Sequence, residues 1–214
     1  WLVSPVAVPL AQASYQVVAS GLDNPRGLAF GPEGALYVAE AGRGGSGPCI
    51  PNPEAGAPPR CYGASGAITR IWRGVAERVA TGLPSLAPAD GSRAGGATDI
   101  AFLGRGGAYV IVGLGGEPNE VRQSLGDLGA AFGRLYHLPA SGKWKPADDV
   151  AAHEYTNPDG ATIDSNPYSV AALPSHRVVV DAGGNSLVQV DAAGRTLTLA
   201  VFPPQMALAP PFLG

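Results

Sequence analysis

Short runs of alternating apolar and polar residues, broken by Gly, Pro and Asn, set the pattern of this chain. The segment 22–40, LDNPRGLAFGPEGALYVAE, reads as a turn, a short strand, a Gly-Pro-Glu-Gly hairpin turn and a second strand. Segments 66–72 and 77–81, placed around the Arg73-Gly74 turn, predict a third and a fourth strand that complete an antiparallel unit of four. The same order returns at 98–103 and 108–113, then 133–138 and 149–155, and again at 168–173, 177–182, 186–191 and 196–202. Repeated four-stranded units of this kind are the blades of a β-propeller, in which each sheet buries its faces against its neighbours. The expectation is therefore an all-β fold with three four-stranded antiparallel blades, at about 15–81, 98–155 and 168–202 within a repeat region of 14–202. A closed ring needs at least about four blades. Three blades are thus expected to form half of a six-bladed ring, the remaining blades belonging to a longer chain; pairing of two such halves is the lesser option.

Composition sharpens this picture. The 214 residues include 31 Gly and 21 Pro, so long helices are not expected, and helix should stay below about 10% of the chain. The formal charge is -3, and the 14 Lys and Arg form no run, which excludes a nucleic-acid backbone as partner. No stretch of about 18 apolar residues is present to span a bilayer. Residues 1–13 are apolar and end in Ala11-Gln12-Ala13 ahead of Ser14, the small-x-small pattern of a signal-peptidase site, while Pro5 and Pro9 argue against a central strand. They read as the remnant of a secretion signal, and the Pro-rich 203–214 as the start of a continuation. A secreted, periplasmic or extracellular location follows. Cys49 and Cys61 lie in one Gly/Pro-rich insertion without His neighbours, which favours a disulfide over a metal site.

In a propeller the loops that enter the first strands share a face with the loops joining strands two and three. The long polar segments 21–26, 40–65, 82–98, 113–132 and 154–167 all fall on that face. Near the channel mouth it would present Asn24, Arg26, Asn157 and Asp159. The leading ligand or metal candidates beside them are Glu40, Asp99, Asp164, Asn166, Asp181 and Asn185. Converging carboxylates and amides suit a hard cation such as Ca²⁺, or a polar small molecule. The competing role is structural, because Asn and Asp side chains cap their own turns. Glu40, Gly113 and Asp181 are expected to end the second strands, with Asn24, Asp99 and Asn166 just ahead of the first strands. His137, His153 and His176 share no ligand spacing, and His153 is expected in an outer strand. Gly113-Leu-Gly-Gly116 precedes no helical pattern and reads as a turn rather than a phosphate loop. Ser20 and Ser65 lack the setting of a hydrolase nucleophile. Trp72, Trp144 and Tyr136 are expected to pack between blades.

The segment 21–42 together with Thr69-Arg70-Ile71, 99–102, 113–116, Asn157-Pro-Asp-Gly160, Asp164-Ser-Asn-Pro-Tyr168 and Asp181-Ala-Gly-Gly-Asn185 resembles the ScyD/ScyE family of secreted bacterial propeller proteins, over nearly all of 15–202. The first segment is shared with NHL-like and lactonase-like propellers; the later ones are more specific. The resemblance implies a longer parent protein and transfers no catalytic residue. Two functions are weighed. One is a secreted propeller that binds a small molecule, a glycan or a protein through its long-loop face. The other is a metal-assisted, lactonase-like or dehydrogenase-like enzyme in which Glu40, Asp99, Asp164 and Asp181 supply oxygen ligands. Binding is favoured, since no nucleophile–base pair is visible.

Overall fold

The computed structural model describes residues 15–52, 56–105, 107–139 and 143–203. The signal-like 1–13 and nearly all of the Pro-rich tail lie outside the described residues. The first sheet contains β1 (Pro25–Phe30), β2 (Leu36–Glu40), β3 (Cys49–Ile50), β4 (Arg60–Trp72) and β5 (Val75–Ala87). The second contains β6 (Ala97–Phe102), β7 (Ala108–Val112), β8 (Arg134–Leu138) and β9 (Lys145–Asp149); the third contains β10 (Pro167–Ala172), β11 (His176–Asp181), β12 (Ser186–Asp191) and β13 (Thr196–Val201). Every pairing is antiparallel and joins chain neighbours, except that β2 pairs with β4 past the short β3, which adds to the far end of β4. These are three propeller blades in series.

The blades stack through their apolar faces. Side chains alternate across a strand, so Ala39, Ile68 and Ala80 of the first blade meet Ile100, Val110, Tyr136 and Leu138 of the second. The Tyr37 and Phe102 rings sit 4.7 Å apart across that seam. The opposite face of the second blade sets Ile111 and Leu135 against Val170, Val179 and Val190 of the third. A largely buried Arg177–Asp148 pair at 2.9 Å crosses the same seam, with Arg177 lying over the Tyr109 ring. The first strands β1, β6 and β10 lie side by side and define the inner edge of the arc. The aromatic expectation holds in part: Trp144 packs edge-on against Tyr136 and donates to the Thr81 carbonyl across the first seam, whereas Trp72 lies beneath Arg70 and Arg73.

Several elements differ from the sequence pattern. Strands expected at 66–72 and 77–81 run on to Arg60 and Ala87. The hairpin continues because Cys61, Tyr62 and Gly63 pair with Ala87, Leu86 and Ser85, with bulges absorbing the Gly-rich stretch between. The outer strand expected at 149–155 lies at Lys145–Asp149 instead, and 151–156 is a 3-10 turn. Asp149 causes this, since its Oδ1 accepts the Ala152 N–H at 3.1 Å in the manner of a helix cap. The loop 113–132 contains α1 (Pro118–Ser124) and a 3-10 turn at 126–131. Glu117 caps α1 through the Glu120 N–H, and Arg122 anchors it to Asp149 at 2.7 Å. Among the described residues no helix is long and apolar enough to cross a membrane.

Cys49 and Cys61 are joined, as cross-strand partners of β3 and β4. The closure spans 12 residues of sequence, and a loop of that size is worth about 2–3 kcal/mol in the chain-entropy account. Replacing both cysteines by Ser is expected to lower stability by about that amount in urea unfolding; an unchanged midpoint would show that the loop holds without the bridge.

Candidate functional site

Strand register shows which residues occupy equivalent places in the three blades. Pro25 pairs with Glu40, Ala97 with Val112 and Pro167 with Asp181, and in each blade a bulge follows. The next main-chain bonds match as well, from Ala41, Gly113 and Ala182 N–H to the Asn24, Gly96 and Asn166 carbonyls, all at 3.0 Å. Val112, rather than Gly113, is therefore the counterpart of Glu40 and Asp181, and Gly96, rather than Asp99, is the counterpart of Asn24 and Asn166. These places differ by one residue in the second strand and by three ahead of the first from those the apolar pattern gives, in which the bulge is invisible.

Glu40 is fully enclosed. Its carboxylate accepts the Asp23 N–H at 2.5 Å, the Thr69 hydroxyl, and Arg78 through Nε at 3.1 Å and Nη2 at 2.7 Å. Burial pushes its pKa up, but hydrogen bonds from Arg78, Thr69 and the Asp23 N–H outweigh burial and hold it below the usual carboxylate range. Asp181 does equivalent work in the third blade. It accepts the Asn166, Gly183 and Gly184 N–H groups at 2.7, 3.1 and 3.2 Å and the Ser165 hydroxyl at 2.6 Å. Each acid thus ties down the loop that enters its own blade.

Asp99 has a different task. Register places it level with Gly27 and Ser169 on neighbouring inner strands. Its Oδ2 accepts the Ser169 hydroxyl at 2.6 Å and the Val170 N–H at 3.0 Å, joining the second blade to the third. On the other side it lies so close to Gly27 that any Cβ there would overlap its carboxylate. Above it opens a concavity of about 460 Å³, lined by Arg26, Gly27, Thr98, Asp99, Tyr168 and Ser169 among others. The first strands of all three blades contribute to it. Arg26 reaches it while donating to the Ala94 carbonyl at 3.0 Å.

The remaining candidates divide between these places. Asn166 Oδ1 accepts the Leu114 N–H at 3.3 Å, linking the third blade's entry loop to the second blade's 113–116 turn. Asn185, with φ at 47°, donates to Asp159 at 3.0 Å, and Asp159 also caps the Ala161 N–H. Asn24 donates to the Gly42 and Gly91 carbonyls, both at 2.8 Å. Asn157 ends the 3-10 turn at 151–156 in the left-handed conformation. Asp164 contributes main chain against Gly183. Asp164, Asn166, Asp181 and Asn185 therefore share one loop cluster, from which Glu40 and Asp99 stand apart. Among the described residues no group of three or more His, Cys, Asp or Glu is placed to hold a metal ion.

Glu154 is a further polar residue of this cluster that the apolar pattern does not mark. Placed in a 3-10 turn instead of an outer strand, it is 1% exposed, and its Oε1 is buried without a hydrogen-bond partner. Gly184 lies against its carboxyl, where any side chain would collide. Burial, followed by the negative charges of Asp181, Asp159 and Asp164, pushes its pKa up to about 7, the Asp164 N–H offsetting only part of this. The neighbouring His153 ring bonds Thr196 and Thr198 at 2.9 and 2.7 Å, and burial lowers its pKa. An Asp followed by Val-Ala-Ala-His-Glu is a helix-start signal that could have located this turn.

No family model matches the chain, and no curated protein is similar to it. Among solved structures it is similar to an oxidoreductase (glucose dehydrogenase) from Thermus thermophilus. Identity is 17% over 90% of this chain and 87% of that one, with a TM-score of 0.34. At that score the likeness carries no argument about function, and the propeller assignment rests on the sheets themselves.

A carboxyl with a raised pKa binds its proton more tightly folded than unfolded, so its stabilising contribution is complete below pH 4.5 and is lost as pH rises to about 7. Glu154→Gln mimics the protonated form. The melting temperature of this variant relative to wild type is expected to rise across that interval and then level off. A difference independent of pH would show that folding leaves the Glu154 pKa unshifted.

Proposed function

We propose that this chain is the ligand-binding arc of a propeller that works outside the cytoplasm and takes a small polar ligand, such as a glycan, at the channel mouth. The observation that carries this reading is the concavity in which the inner strands of all three blades meet. It offers Arg26 as a donor and the half-exposed Tyr168 ring as a platform for the apolar face of a sugar, around the fixed carboxylate of Asp99. The roles of Glu40 and Asp181 in tying down entry loops favour a rigid binding rim over a set of free metal ligands. The disulfide suits an oxidising compartment. Both the secreted location and the likeness to ScyD/ScyE proteins belong to this reading.

The same reading includes further blades that close the ring. Leu28 and Phe30 point away from the second blade and are 60% and 71% exposed, while Val180 and Leu197 line the free face of the third blade. Equivalent faces elsewhere in the arc are covered by a neighbouring blade. Three more blades of the same kind would cover both.

Isothermal titration with a panel of neutral oligosaccharides tests the binding site. Saturable binding is expected, with Arg26→Ala and Tyr168→Ala each weakening it about tenfold or more while the far-UV spectrum stays unchanged. Binding insensitive to both substitutions would place the ligand elsewhere.

A further inference from the structure

A second pocket, of about 280 Å³, lies between the disulfide-pinned β3 segment and α1. Ile50, Pro51 and Val121 form its apolar walls, Gly115 and Gly116 pass beside it, and Glu117 and Glu120 stand at its edge. Arg60 is the one cation lining it. This arginine sits opposite Ile50 in the β3–β4 ladder, one residue before Cys61, so the bridge fixes its backbone.

The position of Arg60 is electrostatically incomplete. Its Nε is buried without a hydrogen-bond partner, and no carboxylate among the described residues pairs with it. Burial alone acts on the guanidinium, pulling its pKa down. Other arginines near this face are matched: Arg122 and Arg134 both hold Asp149, at 2.7 and 2.9 Å. Glu117 lines the same pocket without pairing with Arg60, and its carboxylate accepts the Tyr155 hydroxyl and the Glu120 N–H. A half-buried cation whose Nε is shielded from water and which touches no carboxylate among the described residues is costly, and a fork of N–H donors beside an apolar cleft is suited to an anion.

We infer that this pocket binds a small organic acid, with Arg60 gripping its carboxylate and Ile50, Pro51 and Val121 covering its apolar body. The single guanidinium matches one negative charge, and the Glu117 and Glu120 carboxylates at the edge disfavour a dianion such as phosphate. Gly115, whose φ of +74° favours glycine, passes beside the guanidinium: a Cβ there would lie 3.9 Å from Arg60 Nη1, in ordinary contact. The pocket is built by loops of the first two blades and stands independently of the channel-mouth reading.

Titration of the intact chain with benzoate, followed by calorimetry and amide NMR shifts, tests the site. Benzoate is expected to bind saturably and to shift amides at 50–52, 60 and 115–121, with benzamide and inorganic phosphate at least about tenfold weaker. Arg60→Met should abolish binding with a melting temperature equal to or above wild type, because it removes an uncompensated charge. Arg60→Lys, which keeps the charge and loses the fork, should retain weakened binding. The inference is overturned if benzoate does not bind saturably, if benzamide binds as well as benzoate, or if Arg60→Met binds benzoate like wild type. A melting temperature lowered by several degrees in Arg60→Met also overturns it, since the guanidinium would then be a structural partner.

Discussion

The arc depends on satisfying the main-chain N–H groups of the loops that enter each blade. These loops turn into the inner strands beneath other chain segments, where an unpaired amide is costly. In the first and third blades a carboxylate at the end of the second strand takes that burden, Glu40 for the Asp23 N–H and Asp181 for the Asn166 N–H, while Asp181 also holds the Gly183 and Gly184 amides of the turn that follows it. The second blade has Val112 at this place and no carboxylate there; it keeps the main-chain bond common to all three blades, from the Gly113 N–H to the Gly96 carbonyl, and the Leu114 N–H after its second strand is taken by Asn166 of the next entry loop.

With the entry loops fixed, the relation between blades is set by apolar seams and a few polar ties. Asp99 reaches the third blade's inner strand, and Arg177–Asp148 closes the outer part of the same seam. The inner edges are held level, so Arg26, Asp99 and Tyr168 meet around one concavity. Carboxylates used in this way are poor ligands for a mobile cation, since each already accepts several hydrogen bonds. Among the described residues five buried side-chain polar atoms lack a hydrogen-bond partner, on Arg60, Arg122, Glu154, Arg177 and Ser186; Arg122 and Arg177 are held in ion pairs with Asp149 and Asp148, which leaves Glu154 and Arg60 as the charged groups among them without one. Both are positions where folding alone does not account for the polar group.

Much of the fold was legible because strands with one covered face alternate strictly and the turns between them carry Gly, Asn or Asp. The third blade, with its Val-rich β11 and β12, matches its pattern to within one residue at each strand end. Legibility failed where tertiary pairing overrides local preference. RCYGASG and GLPSLA read as loop, yet they form the extended end of a hairpin because each supplies the other's partners and the disulfide adds a third strand. Of the candidate site, the acids at strand ends were visible as residues but not as roles. Glu40 and Asp99 look alike in the sequence. One is turned toward its own entry loop and the other toward the neighbouring blade, a distinction fixed by the bulge and by blade stacking. Glu154 and Arg60 were invisible because their significance is the lack of a partner.

Amide hydrogen exchange in Asp181→Ala tests the central claim most directly, that strand-end carboxylates hold the entry loops. The Asn166, Gly183 and Gly184 amides are expected to exchange slowly in the wild-type protein and to lose protection in the variant, while β6 to β8 keep theirs. Fast exchange at those amides in the wild type, or protection unchanged by the substitution, would contradict the account.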